Sequence, residues 1–113
     1  MDNQITGERI ADQLIAKGID YIQKKMFGGV CFMVNDKMLI GTYKGGIMAR
    51  VDPAENETLL DRPGTSQMIH GGKPMAGYLF LEPEVYESER DISFWLEKCL
   101  EYNPKAKASG KKK

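Results

Sequence analysis

A single histidine, His70, and two cysteines, Cys31 and Cys99, are all the imidazole and thiol chemistry the chain has. No Glu or Cys stands at helical ligand spacing from His70, so a zinc site would need distant residues and no second imidazole. Any Ser-His-Asp or Cys-His nucleophile would depend on His70 alone, and no G-x-S-x-G elbow occurs. The expectation is a protein without metal or cofactor that is not an enzyme.

Long hydrophobic runs are missing too. The longest, Val30 to Val34, has five residues, far short of the ~20 that cross a bilayer. Met1-Asp2-Asn3-Gln4 is polar and leads into no hydrophobic run, so no signal peptide is expected and the protein is placed in the cytoplasm, away from membranes. Cys31 lies in an apolar strand-like run and Cys99 in an amphipathic helix, where a thiol acts as a small buried hydrophobe and a disulfide is not expected.

What is present suits one small domain. At 113 residues only a single core fits, and 42% hydrophobic with 28% charged residues is the balance of an ordered globular chain. The formal net charge of zero hides an asymmetry. Residues 103–113 hold Lys105, Lys107, Lys111, Lys112 and Lys113 with no acid, which leaves residues 1–102 with 11 basic against 16 acidic side chains, about −5.

A first helix is expected over Ile5–Lys17, with Ile10/Leu14 and Ala11/Ile15 on its apolar stripe, Thr6 as cap and Gly18 as terminator. Tyr21–Phe27 reads as a strand meeting a turn or bulge at Gly28-Gly29. Three strands follow in a meander, Val30–Val34, Met38–Tyr43 and Ile47–Val51, turned at Asn35-Asp36 and Lys44-Gly45-Gly46. Asp52-Pro53-Ala54-Glu55 opens a short helix that ends near Asp61, with Glu55 at capping-box spacing. Gln67–His70 and Gly77–Glu82 form either a hairpin or two strands with a longer loop over Gly71–Pro74. Ser88-Glu89-Arg90-Asp91 is a capping box for a last helix whose buried face is Ile92, Trp95, Leu96, Cys99 and Leu100, stopped at Asn103-Pro104.

Hairpins without βαβ crossovers predict an α+β fold: a mostly antiparallel sheet with N-terminal and C-terminal helices packed on it and a short helix in the middle. One strand is apolar on both sides, with Val30, Phe32 and Val34 facing one way and Cys31 and Met33 the other. Either it is covered on both sides within the monomer, or one sheet face pairs with a second copy.

The remaining motifs favour plain structural roles. Gly28-Gly29 and Gly71-Gly72-Lys73 lack Walker spacing and read as turns. Cys31 has Lys24 and Lys25 a few residues away, but its apolar strand argues for an inert thiol. The acidic stretch from Glu82 to Asp91 reads as a helix start with favourable first-turn charge. The five tail lysines would give a salt-sensitive, sequence-blind attraction to nucleic acid, which the acidic body opposes.

Lys24-Lys25-Met26-Phe27-Gly28-Gly29-Val30, the Asn35-Asp36 hairpin, Ile47–Asp52, Gly72–Tyr78 and the Trp95 helix together resemble the N-terminal domain of the TfoX/Sxy family over about residues 5–104. That resemblance implies an antiparallel α+β domain, no established catalysis, and a place among regulators of bacterial competence for DNA uptake. Full-length regulators of that family carry a second, helical domain, whereas this chain ends in a lysine tail. The expected organisation is a TfoX N-terminal-like domain over 1–104 and a disordered tail over 105–113. The expected function is a non-enzymatic regulatory or protein-interaction role linked to competence or transcription regulation, with a homodimer as a candidate assembly. Phe27, Arg50, His70 and Lys73 are the candidate contact surface, being large or polar groups beside strand ends and turns. The alternative is a nucleic-acid accessory protein that uses Lys105, Lys107, Lys111, Lys112 and Lys113.

Overall fold

The structure, a computed structural model, describes residues 3–26 and 28–106. Phe27, Lys107, Lys111, Lys112 and Lys113 lie outside the described residues. The element order is α1 (Asn3–Ala16), β1 (Ile22–Met26), β2 (Gly29–Val34), β3 (Lys37–Tyr43), β4 (Gly46–Arg50), α2 (Asn56–Leu60), β5 (Thr65–His70), β6 (Lys73–Leu81) and α3 (Glu89–Tyr102). The strands form one six-stranded sheet in the order β1-β2-β3-β4-β6-β5, antiparallel at every pairing, so the α+β architecture read from the sequence holds. No helix among the described residues is long and apolar enough to cross a membrane.

Two-residue turns set the registers. Asn35 and Asp36 have φ of 56° and 64°, and Gly71 and Gly72 have 60° and 79°; consecutive left-handed residues are what a twisted hairpin needs. Because Gly71-Gly72 turns so tightly, Lys73 to Ala76 belong to β6, and the longer-loop alternative is excluded.

The helices follow their caps with two corrections. In α3, Ser88 Oγ accepts from the Asp91 amide at 3.1 Å and the Ser88 amide donates to Asp91 Oδ2 at 3.4 Å, the expected reciprocal box. Asp52 Oδ1 accepts from the Ala54 amide at 2.9 Å ahead of a 3₁₀ turn, Pro53–Glu55, that leads into α2, while Glu55 ion-pairs with Lys98 of α3 at 3.1 Å. Thr6 does not cap α1: it lies inside the helix and is buried with Ile10 and Leu14, one and two turns on. Ile15, expected on the apolar stripe, is 64% exposed. The 3.6-residue period that brings Thr6, Ile10 and Leu14 onto one line rotates Ile15 away from it.

All three helices pack on one face of the sheet, where Phe32, Ile40, Leu79 and Leu81 meet Leu14 and Trp95. A register shift between Phe32 and Met33 opposite β3 allows consecutive residues Leu39 and Ile40 both to enter this core. Asn103, just past α3, ties the helix end to the β2–β3 turn: its Nδ2 donates to Val34 O at 3.1 Å and its Oδ1 accepts from Asn35 at 2.8 Å. The other face carries a second, smaller cluster of Cys31, Met33, Met38 and Met48, to which no helix contributes among the described residues. Cys31 and Met33 are 1% and 6% exposed, so β2 is buried on both sides within the monomer.

Candidate functional site

Strand pairing decides what the helix-free face presents. Lys24 is opposite Cys31, Met33 opposite Met38, Met48 opposite Phe80, and Arg50 opposite Tyr78; directly opposed residues share a face. The methionines that the register gathers here line a pocket of about 250 Å³ with Met38, Met48, Met68 and Met75 in its wall, together with Tyr43 and Tyr78. The end of β5 completes it with Ile69 and His70. Of seven methionines in the chain, every one whose side chain is described, Met33, Met38, Met48, Met68 and Met75, lies in this cluster or its pocket. Thioethers are flexible and polarisable, so such a surface adapts to the shape set against it.

The hairpin that carries half of the pocket is held by a buried polar bracket. Asn56 Nδ2 donates to Gln67 Oε1 at 2.7 Å, and Gln67 Nε2 donates to Met75 O at 2.8 Å and Tyr78 O at 3.1 Å. The Gly77 amide donates to Asn56 Oδ1 at 2.8 Å. Gly77 has φ of 89°, and a Cβ there would meet Val51 O at 2.7 Å, so only glycine lets β6 approach the chain after β4 this closely.

The candidate contact residues are placed as follows. His70 and Lys73 are both exposed and face each other across the end of the β5–β6 hairpin, with His70 in the pocket wall. Arg50 is packed rather than extended into solvent, with its guanidinium 5.3 Å from the Tyr78 ring centre and 5.9 Å from that of Tyr102. Tyr78 therefore links Arg50 to the pocket. Lys105 is exposed at the end of the last 3₁₀ turn, Asn103–Lys105. Gly28, Gly71 and Gly72 lie at turns, as read from the sequence, whereas Gly29 already belongs to β2.

Chemistry is muted in these surroundings. Burial pushes the Cys31 thiol up to about 11 against the opposing pull of Lys24, and the Cys99 thiol up to about 12. Neither is ionised near neutral pH, which is the state of an unreactive cysteine. No three His, Cys, Asp or Glu side chains among the described residues gather as a metal set. A wide hollow of about 600 Å³ lies beyond α2, rimmed by Asp61, Glu84 and Asp91. Asp91 is committed to the α3 cap and Arg62 lies 4.2 Å over Phe94, so these two charges serve local structure.

The family model of the TfoX N-terminal domain matches residues 13–102, from within α1 to the last residue of α3, so all six strands are included. The chain belongs to the TfoX N-terminal domain family. No curated protein and no solved structure matches it.

In this TfoX N-terminal domain the pocket methionines are what a reading of single motifs passes over. The available signal was positional: Met33, Met38, Met48, Met68 and Met75 all fall within strands. Their common face emerges only once the register shift in β2–β3 and the non-sequential neighbour β4–β6 are known.

Proposed function

We propose that this TfoX N-terminal domain is a non-enzymatic, cytoplasmic regulatory module that works by protein contact through the helix-free face of its sheet, in the setting of competence or transcription regulation. The observation that carries this reading is the methionine-lined pocket. It is apolar, adaptable, open on one side and framed by exposed Ile69 and His70. Met38 and Met48 are its buried floor, Met68 and Met75 are half-buried, and Ile69 and His70 are exposed at its mouth. Into such an apolar recess a side chain of another polypeptide can dock, and methionine-rich surfaces accommodate partners by repacking. Two suppressed thiols and a histidine at a hairpin end support contact over catalysis.

The test is affinity capture from native lysate with the wild type and with Met75→Glu and Met68→Glu, each checked for folding by circular dichroism. Capture that the pocket variants abolish supports the reading. Capture unchanged in both overturns it, as does a wild type that neither captures a protein nor self-associates.

A further inference from the structure

The sheet has two edges, and they differ chemically. Along β1, Ile22, Gln23, Lys24 and Lys25 are all exposed, and lysines on an edge oppose the addition of another strand. Along β5, Thr65–His70 carries no Asp, Glu, Lys or Arg. Its outer row of amides and carbonyls is therefore an unguarded template.

That edge runs beside the pocket, to which Met68, Ile69 and His70 all contribute. At about 250 Å³ the pocket falls below the ~300–1,000 Å³ of sites that enclose whole ligands, a size better matched to one side chain. An unguarded edge with a side-chain pocket alongside is the arrangement by which sheets take up an extended strand, the main chain giving affinity and the pocket selectivity.

The chain itself carries a strand of this kind. β5 is uncharged and extended, and its Ile69 stands 64% exposed next to the pocket. Residues 107–113 are a poorer occupant, since their only apolar side chain is Ala108. Antiparallel pairing of two identical strands is a two-fold arrangement, which requires that edge, pocket and protruding side chain all sit on one patch of one molecule.

We infer that β5 of a second copy of this chain pairs antiparallel with β5, joining two six-stranded sheets and setting the exposed isoleucine of each copy against the methionine-lined pocket of the other. This rests on the reading of that face as a contact surface and names its occupant. Without charge along β5, the identical edges meet with no like-charge opposition, whereas two β1 edges would bring lysines together.

Sedimentation velocity over a dilution series tests it with the wild type, Ile69→Lys, Ser66→Lys and Ile22→Lys. Ile69 and Ser66 are exposed on β5 and Ile22 is exposed on β1, so none of these changes disturbs a core. The wild type and Ile22→Lys are expected to dimerise alike, and both β5 variants to weaken the dimer at least tenfold. A wild type that is monomeric at every concentration, or a dimer indifferent to both β5 lysines, overturns the inference. Monomeric wild type together with lysate capture that Met75→Glu abolishes would remove the second copy as occupant while the contact reading stands; absence of both would remove the two together.

Discussion

Asn56 donates to Gln67 across 2.7 Å, and through that bond the short helix α2 grips the hairpin whose inner wall is the methionine pocket. Asn56 is 4% exposed and is also the acceptor for the Gly77 amide. Its removal leaves the buried Gly77 amide of β6 and the half-buried Gln67 side chain of β5 without these partners. Asn56→Ala is expected to cost ~2–4 kcal/mol in urea unfolding, since a buried polar group left unpaired loses its full desolvation energy. Asn56→Asp keeps an acceptor for Gly77 but turns a carboxylate toward Gln67 Oε1, so it is expected to rescue little.

Arg9 joins α1 to the start of α3 with three bonds of 2.9 Å: Nε to Glu89 Oε2, and Nη2 to the carbonyls of Tyr86 and Glu87. A lysine lacks the planar fork that reaches all three. Arg9→Lys is expected to lose ~1 kcal/mol or more and Arg9→Ala ~1–3 kcal/mol, measured by chemical denaturation. The Gln13 amide and then the Arg9 guanidinium hold the Glu89 carboxyl below its ordinary range. Its contribution is therefore present above the unfolded Glu range and lost as pH falls through the folded value. Because Glu89 is 61% exposed, that acid-side loss should be at most ~0.5 kcal/mol.

Burial of the two thiols predicts the opposite slope in alkali. With Cys31 raised to about 11 and Cys99 to about 12, the folded protein keeps protons that the unfolded chain releases near 9. Stability is full below that unfolded value and falls above it, by about 1.4 kcal/mol per pH unit for each thiol until its folded value is reached. Denaturant midpoints from pH 7 to 10.5 measure the slope. Replacing Cys99 by alanine should flatten it while lowering stability at pH 7. Native thiols should also react with a disulfide reagent at neutral pH far more slowly than those of the unfolded chain.

The parts of this fold legible in the sequence are those governed by neighbours along the chain. The Ser88–Asp91 box and the Ile92, Trp95, Leu96, Cys99 face announce α3, and Asn35-Asp36 announces a hairpin, because caps and left-handed turns depend on local side-chain chemistry, whereas Gly71-Gly72 leaves a hairpin and a longer loop both open until the pairing of His70 with Lys73 is known. Thr6 and Ile15 were misplaced because α1 begins at Asn3 and its buried line is set by packing against the sheet, not by local pattern. The candidate site was less legible. His70 was visible as a polar group beside a glycine turn, but the pocket it joins draws on β3, β4, β5 and β6. One β-bulge separates the apparent phase of β2–β3 from the real one, and a one-residue slip exchanges every side chain between faces.

The claim that the methionine-lined face is the contact surface is tested most directly by methyl spectra of protein labelled at the methionine ε-carbons. The spectra are taken alone, with an excess of unlabelled copy, and in native lysate. Met38, Met48, Met68 and Met75 methyls should shift or broaden in at least one mixture, while the Trp95 indole on the helix-covered side stays where it was. Methionine methyls unmoved in every mixture, or moved no more than the Trp95 signal, would contradict the account.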